Sequence, residues 1–312
     1  IIGGTGTIGS IIVKYLLQLQ THFHVLIGGR RSIKEISMST FYNSERLKYN
    51  QMNYNNDVEL DNFCSQCLLV INAVGPSFKI NDKIALHALR NNCHYIDIGG
   101  YGILRDLLKP YEKSIEAQKL CFIIGVGWMP GISGVFSKTI IETHLNSPEN
   151  TNFNIYYGAV DNWSYSSTYD LAASSMGKTR SYVYSHGKEI QVSPFRYTHH
   201  KFFPFIGHKK ICMPSFDEQL TQLATSLKQI RKISTFIMLN DYISMGKFMF
   251  IKIFYKHNLN KATLMLQDDY QRLVKKENKW GSVICQVSKI EPERKIDTFY
   301  YLYTKNNLLY TA

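Results

Sequence analysis

The first ten residues, Ile1-Ile2-Gly3-Gly4-Thr5-Gly6-Thr7-Ile8-Gly9-Ser10, constrain this chain more than any other stretch. Two apolar residues read as the end of a buried strand, and Ile11 to Leu19 reads as a helix. Between them Gly4, Gly6 and Gly9 form G-x-G-x-x-G. In such a turn the glycines allow a tight reversal, close approach of backbone to a pyrophosphate and close packing of helix on strand. The helix N-terminus adds free N–H groups and the positive end of a dipole. The strand and helix on either side are the context the motif requires.

Strand and helix then alternate. His24 to Gly29 reads as a second strand, Leu47 to Met52 as a third, and Asp57 to Cys67 as a helix. Leu68 to Val74 is a continuous apolar run, as strands buried on both faces are, and it ends in Gly75-Pro76. Ile80 to Asn91 is a helix, His94 to Gly100 a fifth strand, Leu104 to Lys119 a helix and Cys121 to Gly125 a sixth strand. Six alternations predict a doubly wound parallel sheet. A helix over about 135–144 follows the turn Gly127 to Gly134.

From Asn152 the pattern changes. Phe153 to Val160 alternates like a half-buried strand, and Ser185-His186-Gly187-Lys188 reads as a hairpin turn between two short strands. A mixed helical region over about 216–275 and strand-like runs at 282–290 and 298–304 complete an α+β pattern. The predicted fold class is therefore α/β: a Rossmann doubly wound parallel sheet over 1–134 and a second α+β domain for substrate or dimerisation over 135–312. At 312 residues, two domains agree with the ~250–300 residue ceiling on a single core. The chain lacks a starting Met and stops at Leu309-Tyr310-Thr311-Ala312, so both ends are expected to be trimmed or disordered.

The end of the second strand speaks to the choice of dinucleotide. An NAD site places an acidic residue there, about 20 residues past the glycines, for the ribose 2′-OH. This chain has Gly29-Arg30-Arg31-Ser32, with no acid before Glu35. A guanidinium fork matches phosphate oxygens and keeps its charge, so Arg30 and Arg31 favour NADP.

Composition removes several alternatives. The net charge of +12 comes from scattered lysines; without a basic block it points away from nucleic acid and leaves room for an anionic substrate or cofactor. Six cysteines in a chain of this length do not make a disulfide framework. Cys64-Ser65-Gln66-Cys67 has no second pair at zinc spacing and reads as small buried residues of a helix. The longest apolar region, Ile233 to Tyr255, is interrupted by Asn240, Asp241, Lys247 and Lys252, so no membrane span is expected. A cytoplasmic setting is the default.

Five segments together resemble the saccharopine dehydrogenase-like oxidoreductase family: Gly3 to Gly9, Gly29-Arg30, Val70 to Pro76, His94 to Gly100, and Met129 to Gly134. Their order and spacing agree over about the first 145 residues. Weaker likeness continues at Tyr157-Gly158, Ser174 and Ser185 to Lys188. The resemblance implies a Rossmann domain with an α+β domain that covers the nicotinamide and often dimerises, so a homodimer is the implied assembly. It implies that Thr5, Gly6, Thr7 and Ile8 line the pyrophosphate, and that Arg30 and Arg31 meet the 2′-phosphate. Asn53 lies near the adenine by the same reasoning. Ala73, Val74, Gly75 and Pro76 lie beside the nicotinamide ribose, and Trp128 and Met129 flank the nicotinamide. Two departures matter. Members acting on saccharopine-like substrates tend to carry Asp-Pro-Gly where this chain has Met129-Pro130-Gly131. Many relatives also place an acid where Tyr101 stands.

The implied chemistry is hydride transfer between NADPH and the C=N bond of an imine, for which the protein orients, excludes water and supplies a proton. Asp97 and Tyr101, at the end of the fifth strand, are the candidate proton donors or orienters. Trp128 is a candidate for stacking on a ligand, Lys178 and Arg180 for holding a substrate carboxylate, and His199-His200 for carrying a proton. A Rossmann protein that senses NADP(H) or holds a partner without turnover is the alternative. A short-chain reductase needs Tyr-x-x-x-Lys; Tyr111-Glu112-Lys113 has the wrong spacing and Tyr101 to Arg105 the wrong last residue.

Overall fold

The computed structural model describes residues 1–19, 22–32, 44–100, 102–145, 148–177, 181–215 and 218–305. The chain forms two compact units, Ile1–Trp128 and Met129–Asn307.

In the first unit, helix α1 (Thr7–Gln18) leads to β1 (Val25–Gly29), β2 (Leu47–Gln51), α2 (Asp57–Cys64) and β3 (Leu69–Asn72). Short α3 (Ser77–Ile80), α4 (Lys83–Arg90), β4 (His94–Asp97), α5 (Gly102–Leu108), α6 (Glu112–Ala117) and β5 (Phe122–Ile124) follow. All strand pairs are parallel: β1 with β2, β3 with β4, β4 with β5. Ile2 joins the two halves, bridging Gly28 on one side and Asn72 on the other. Counting Ile2 as the first strand, the order is 3-2-1-4-5-6, that of a dinucleotide-binding sheet. Consecutive side chains of a strand point to opposite faces. Ile1 accordingly packs with Ile12, Val13, Val25 and Ile27 under α1, and Ile2 with Leu60, Phe63, Ile84 and Tyr95 under α2 and α4.

Several predicted elements are shorter than expected, each for a local reason. The helix expected from Ile80 begins at Lys83, because Asn81 turns to φ 52°. The helix expected over 104–119 is interrupted at Lys109-Pro110, where a 3-10 turn intervenes before α6; proline supplies no N–H for an α-helical bond. Cys64 closes α2 and Cys67 lies beyond it. The Cys93 thiol lies 3.2 Å from the Cys64 carbonyl and 3.0 Å from that of Cys67. Burial pushes the Cys64 thiol up to about 12, which suits a packing role.

The second unit comprises α7 (Ile132–Glu142), β6 (Thr151–Val160), α8 (Tyr165–Gly177), β7 (Ser181–Ser185), β8 (Lys188–Val192) and α9 (Pro194–Tyr197). It continues with β9 (His199–Phe203), β10 (His208–Pro214), α10 (Glu218–Ser226), β11 (Lys232–Leu239), α11 (Tyr242–Phe254), α12 (Leu259–Lys276), β12 (Trp280–Ile290) and β13 (Lys295–Thr304). Its sheet runs β13-β12-β6-β11-β10-β9, with β7 on β11 and β8 on β7. The pairing of β6 with β11 is parallel and the others are antiparallel. The predicted hairpin is β7–β8, with His186 and Gly187 at φ 49° and 72°, the left-handed pair that a tight hairpin demands. The region expected to be helical contains a strand, β11. It is largely buried on both faces, and its apolar half, Phe236 to Leu239, leads into the apolar start of the next helix, so periodicity cannot tell it from a buried helix. Strands β9 and β10 were not anticipated either. The sheet is strongly curled: Lys201 of β9 donates to Gln286 Oε1 of β12 at 2.7 Å, and Phe205 stacks on Tyr301 of β13 at 4.4 Å.

Candidate functional site

The glycine turn is built so that side chains are excluded from it. A Cβ on Gly9 would stand 2.2 Å from the Gly3 carbonyl oxygen and 2.8 Å from Gly4 Cα. A Cβ on Gly4 would stand 2.8 Å from Ile27 Cγ2, and Gly3 itself adopts φ 81° against Ala73 and Val74. Helix α1 thus starts hard against β1 and β3. The Gly6 amide donates to the Gly3 carbonyl at 2.9 Å, and the first helical bond runs from Ser10 N–H to the Gly6 carbonyl at 2.9 Å. The amides of Thr7, Ile8 and Gly9 are left with no intrahelical acceptor. No side chain caps this end and no acid stands in the first turn. The result is a cradle of donors with a positive dipole end, fitted to a diphosphate.

Arg30 and Arg31 follow β1 on the exposed surface, at the carboxyl edge that also carries the turn. Among the described residues neither guanidinium has an ion pair. Their backbone is held in place from β2. The Tyr49 hydroxyl lies 2.9 Å from the Gly29 carbonyl and 2.5 Å from that of Arg31, and Gln51 Nε2 donates to the Arg30 carbonyl at 3.3 Å. Tyr49, which holds the backbone of the candidate site, was missed by sequence reasoning. An aromatic in a strand reads as packing, and only the strand register places its hydroxyl against the next loop.

Asn53 stands on the loop after β2. Its side chain accepts from the Asn55 amide at 3.1 Å, and its own amide donates to Glu59 at 2.6 Å. Asn56 and Glu59 complete a reciprocal cap on α2. The loop is fixed, and Asn53 is exposed on it.

At the carboxyl ends of β3 and β4 lies a buried polar node. Asp97 is 3% exposed and Asn72 2%. Asn72 Nδ2 donates to Asp97 Oδ2 at 2.8 Å, the Tyr95 hydroxyl donates to the same oxygen at 2.5 Å, and Asn72 Oδ1 accepts from the Val74 amide at 3.0 Å. Burial raises the Asp97 carboxyl above its ordinary range, against the opposing pull of Tyr95, Asn72 and the Gly99 amide. The node fixes the segment Ala73-Val74-Gly75-Pro76 where it leaves the sheet. A small cleft beside it is lined by Asn72, Ser77, Phe78, Asp97 and Leu104. Asn72 carried a visible signal: it is the one polar residue in an apolar run. Its partner Tyr95 carried none.

The other predicted residues divide. Trp128 and Met129 are half-buried and end the first unit and begin the second. Tyr101, Lys178 and Arg180 lie outside the described residues. The two adjacent histidines face opposite sides of β9. His199 packs edge-on against Phe236 at 4.9 Å and Tyr156 at 6.0 Å; His200 is exposed, its Nε2 2.7 Å from the Tyr242 hydroxyl. The structure does not bring them together as a proton-carrying pair.

The strand order, the side-chain-free turn and the arginines behind β1 define a Rossmann domain of the kind found in nicotinamide-dependent oxidoreductases. Residues 1–121 match the family model described as saccharopine dehydrogenase NADP binding domain. No curated protein sequence matches the chain. Among solved structures, apo saccharopine dehydrogenase (L-Glu forming) from Saccharomyces cerevisiae is similar over 99% of this chain and 87% of its own, with TM-score 0.65 and 12% identity, a likeness of fold. Looser likenesses include dihydrodipicolinate reductase from Paenisporosarcina sp. TG-14, over 99% and 89% of the two chains at TM-score 0.44 and 10% identity. An engineered D-amino acid dehydrogenase bound to NADP+ is similar over 98% and 82% at TM-score 0.45 and 9% identity. Among the described residues no helix is long and apolar enough to cross a membrane.

Proposed function

We propose that this protein is an NADPH-dependent oxidoreductase of the saccharopine dehydrogenase-like type, reducing the C=N or C=O bond of a small amino-acid-derived substrate. The observation that carries the reading is the pairing of the open amide cradle at Thr7 to Gly9 with two cations where an NAD site would place a carboxylate. In this reading the turn amides hold the diphosphate, Arg30 and Arg31 hold the 2′-phosphate, and Asn53 borders the adenine. Ala73 to Pro76 present backbone to the nicotinamide ribose, and Trp128 and Met129 border the ring. NADPH, when bound, supplies the hydride. Asp97 acts as a positioning residue: its carboxyl is fully engaged by Tyr95, Asn72 and Gly99, so it sets the segment after β3. Tyr101 is retained as the proton donor, and Lys178 and Arg180 as holders of a substrate carboxylate.

Titration of protein fluorescence with NADPH and NADH tests the cofactor half. NADPH should bind more tightly, and Arg30→Ala should weaken NADPH about tenfold, ~1.4 kcal/mol, with NADH unchanged. Equal affinities in the unaltered protein would remove the 2′-phosphate argument. Met129 in place of an acid favours a second reading, an NADP(H) sensor without turnover. A panel of amines with oxo acids separates the two, since a sensor binds NADPH and leaves it unoxidised.

A further inference from the structure

Helix α11 carries an apolar stripe that stays largely exposed among the described residues. Tyr242, Ile243, Phe250, Ile253 and Phe254 are 64, 50, 40, 64 and 65% exposed. At 3.6 residues per turn these positions share one side of a helix ~18 Å long over the same span. The opposite side, with Phe248 and Ile251, is buried with Leu266 and Leu239, so α11 is already anchored and its outer stripe is surplus to the core. Contiguous exposed apolar surface of this kind marks an interaction site.

The charge beside the stripe is mainly positive. From Tyr242 to Gln267 the chain holds Lys247, Lys252, Lys256, Lys261 and His257, with no Asp or Glu. Lys247 is neutralised by Asp268 at 2.7 Å, and Lys252 lies over the Phe248 ring at 5.6 Å. Lys256 and Lys261 are exposed and have no ion pair among the described residues. An aromatic and aliphatic stripe beside uncompensated lysines is complementary to an anionic lipid surface, where rings enter the headgroup boundary and ammonium groups meet phosphates. A second copy of the chain is a poorer occupant, because a two-fold contact on this face would bring like charges together. We propose that α11 lies flat on an anionic membrane and docks the protein there peripherally. The proposal is independent of the cofactor reading.

Flotation of the full chain with phosphatidylcholine vesicles, with and without phosphatidylserine, is the test. Binding should require the anionic lipid and weaken with salt. Ile253→Glu with Phe254→Glu should reduce it about tenfold or more, and Lys256→Ala with Lys261→Ala about fivefold per lysine at low salt, with circular dichroism and Tm unchanged. If the glutamate pair unfolds the protein, Ile253→Ser with Phe254→Ser replaces it and should still reduce binding. Equal binding to both vesicle types, or binding untouched by the stripe variants, would overturn the proposal. So would a solution dimer that the stripe variants dissociate without any vesicle binding.

Discussion

The two units solve the same problem, covering a sheet, in opposite ways. In the first, Ile2, β2, β3 and β4 are each followed by a helix that packs on the sheet, so neighbours in space are near neighbours in sequence. In the second, the central pair β6 and β11 is parallel and joins Ile155 to Thr235, with three described helices and four strands intervening. The first unit therefore announces itself locally, through glycines, caps and alternation. The second depends on contacts that only the finished sheet creates. The lesson is that the candidate site in this chain is most legible where folding is most local.

The sharpest way to break that contrast is Gly9→Val. A Cβ there has no room beside the Gly3 carbonyl, so NADPH affinity should fall by at least ~100-fold, about 3 kcal/mol, while the far-ultraviolet signature of the second unit's sheet persists. Retained affinity in a titration would show that the turn is not the cofactor cradle. Next comes Ile284→Ala, at a fully buried position in β12. It should cost about 2–5 kcal/mol in urea unfolding and leave NADPH titration near the unaltered value. A loss of cofactor affinity as large as that of Gly9→Val would deny the two units separate roles.

The smallest effect concerns pH, where the units differ in sign. In the second unit the Arg272 guanidinium and the Ser244 amide hold the Asp241 carboxyl well below its usual range. The unfolded chain then binds the proton more readily, so this stability is present above the ordinary carboxylate pKa and is lost as pH falls through and below it. In the first unit burial raises Asp97; there the folded chain binds the proton more readily, and stability declines as pH rises from the ordinary carboxylate pKa through the raised one. Asp241→Ala, which also removes a helix cap, should cost about 1 kcal/mol at neutral pH and flatten the acid limb of a Tm-against-pH curve. Asp97→Asn should instead remove a shallow decline just above the ordinary carboxylate range. Identical curves for both variants would contradict the opposite environments.

Much of the candidate site was legible because its parts are backbone chemistry. Gly4, Gly6 and Gly9 can be inferred from what a Cβ would do, and Arg30 and Arg31 from their distance past the turn. Tyr49, Tyr95 and the engagement of Asp97 were not readable, since strand register and burial, not local spacing, bring them to their partners. The same cause hid β11: Lys232 to Leu239 has no polar alternation because both of its faces are covered. His199 and His200 look alike in sequence, yet the two-residue period of a strand sends one inward and the other out.

Ile2 has a further consequence. Its amide donates to Ile71 and its carbonyl accepts from Ala73, while Gly28 and Gly3 tie the neighbouring residues to β1. A single residue is thus the seam between the two halves of the parallel sheet, and the glycine elbow begins at the next position. The elbow has no separate freedom to rearrange, because moving it would unstitch the sheet. A ligand arriving there meets donors whose conformational entropy was surrendered during folding, so little ordering remains to oppose binding.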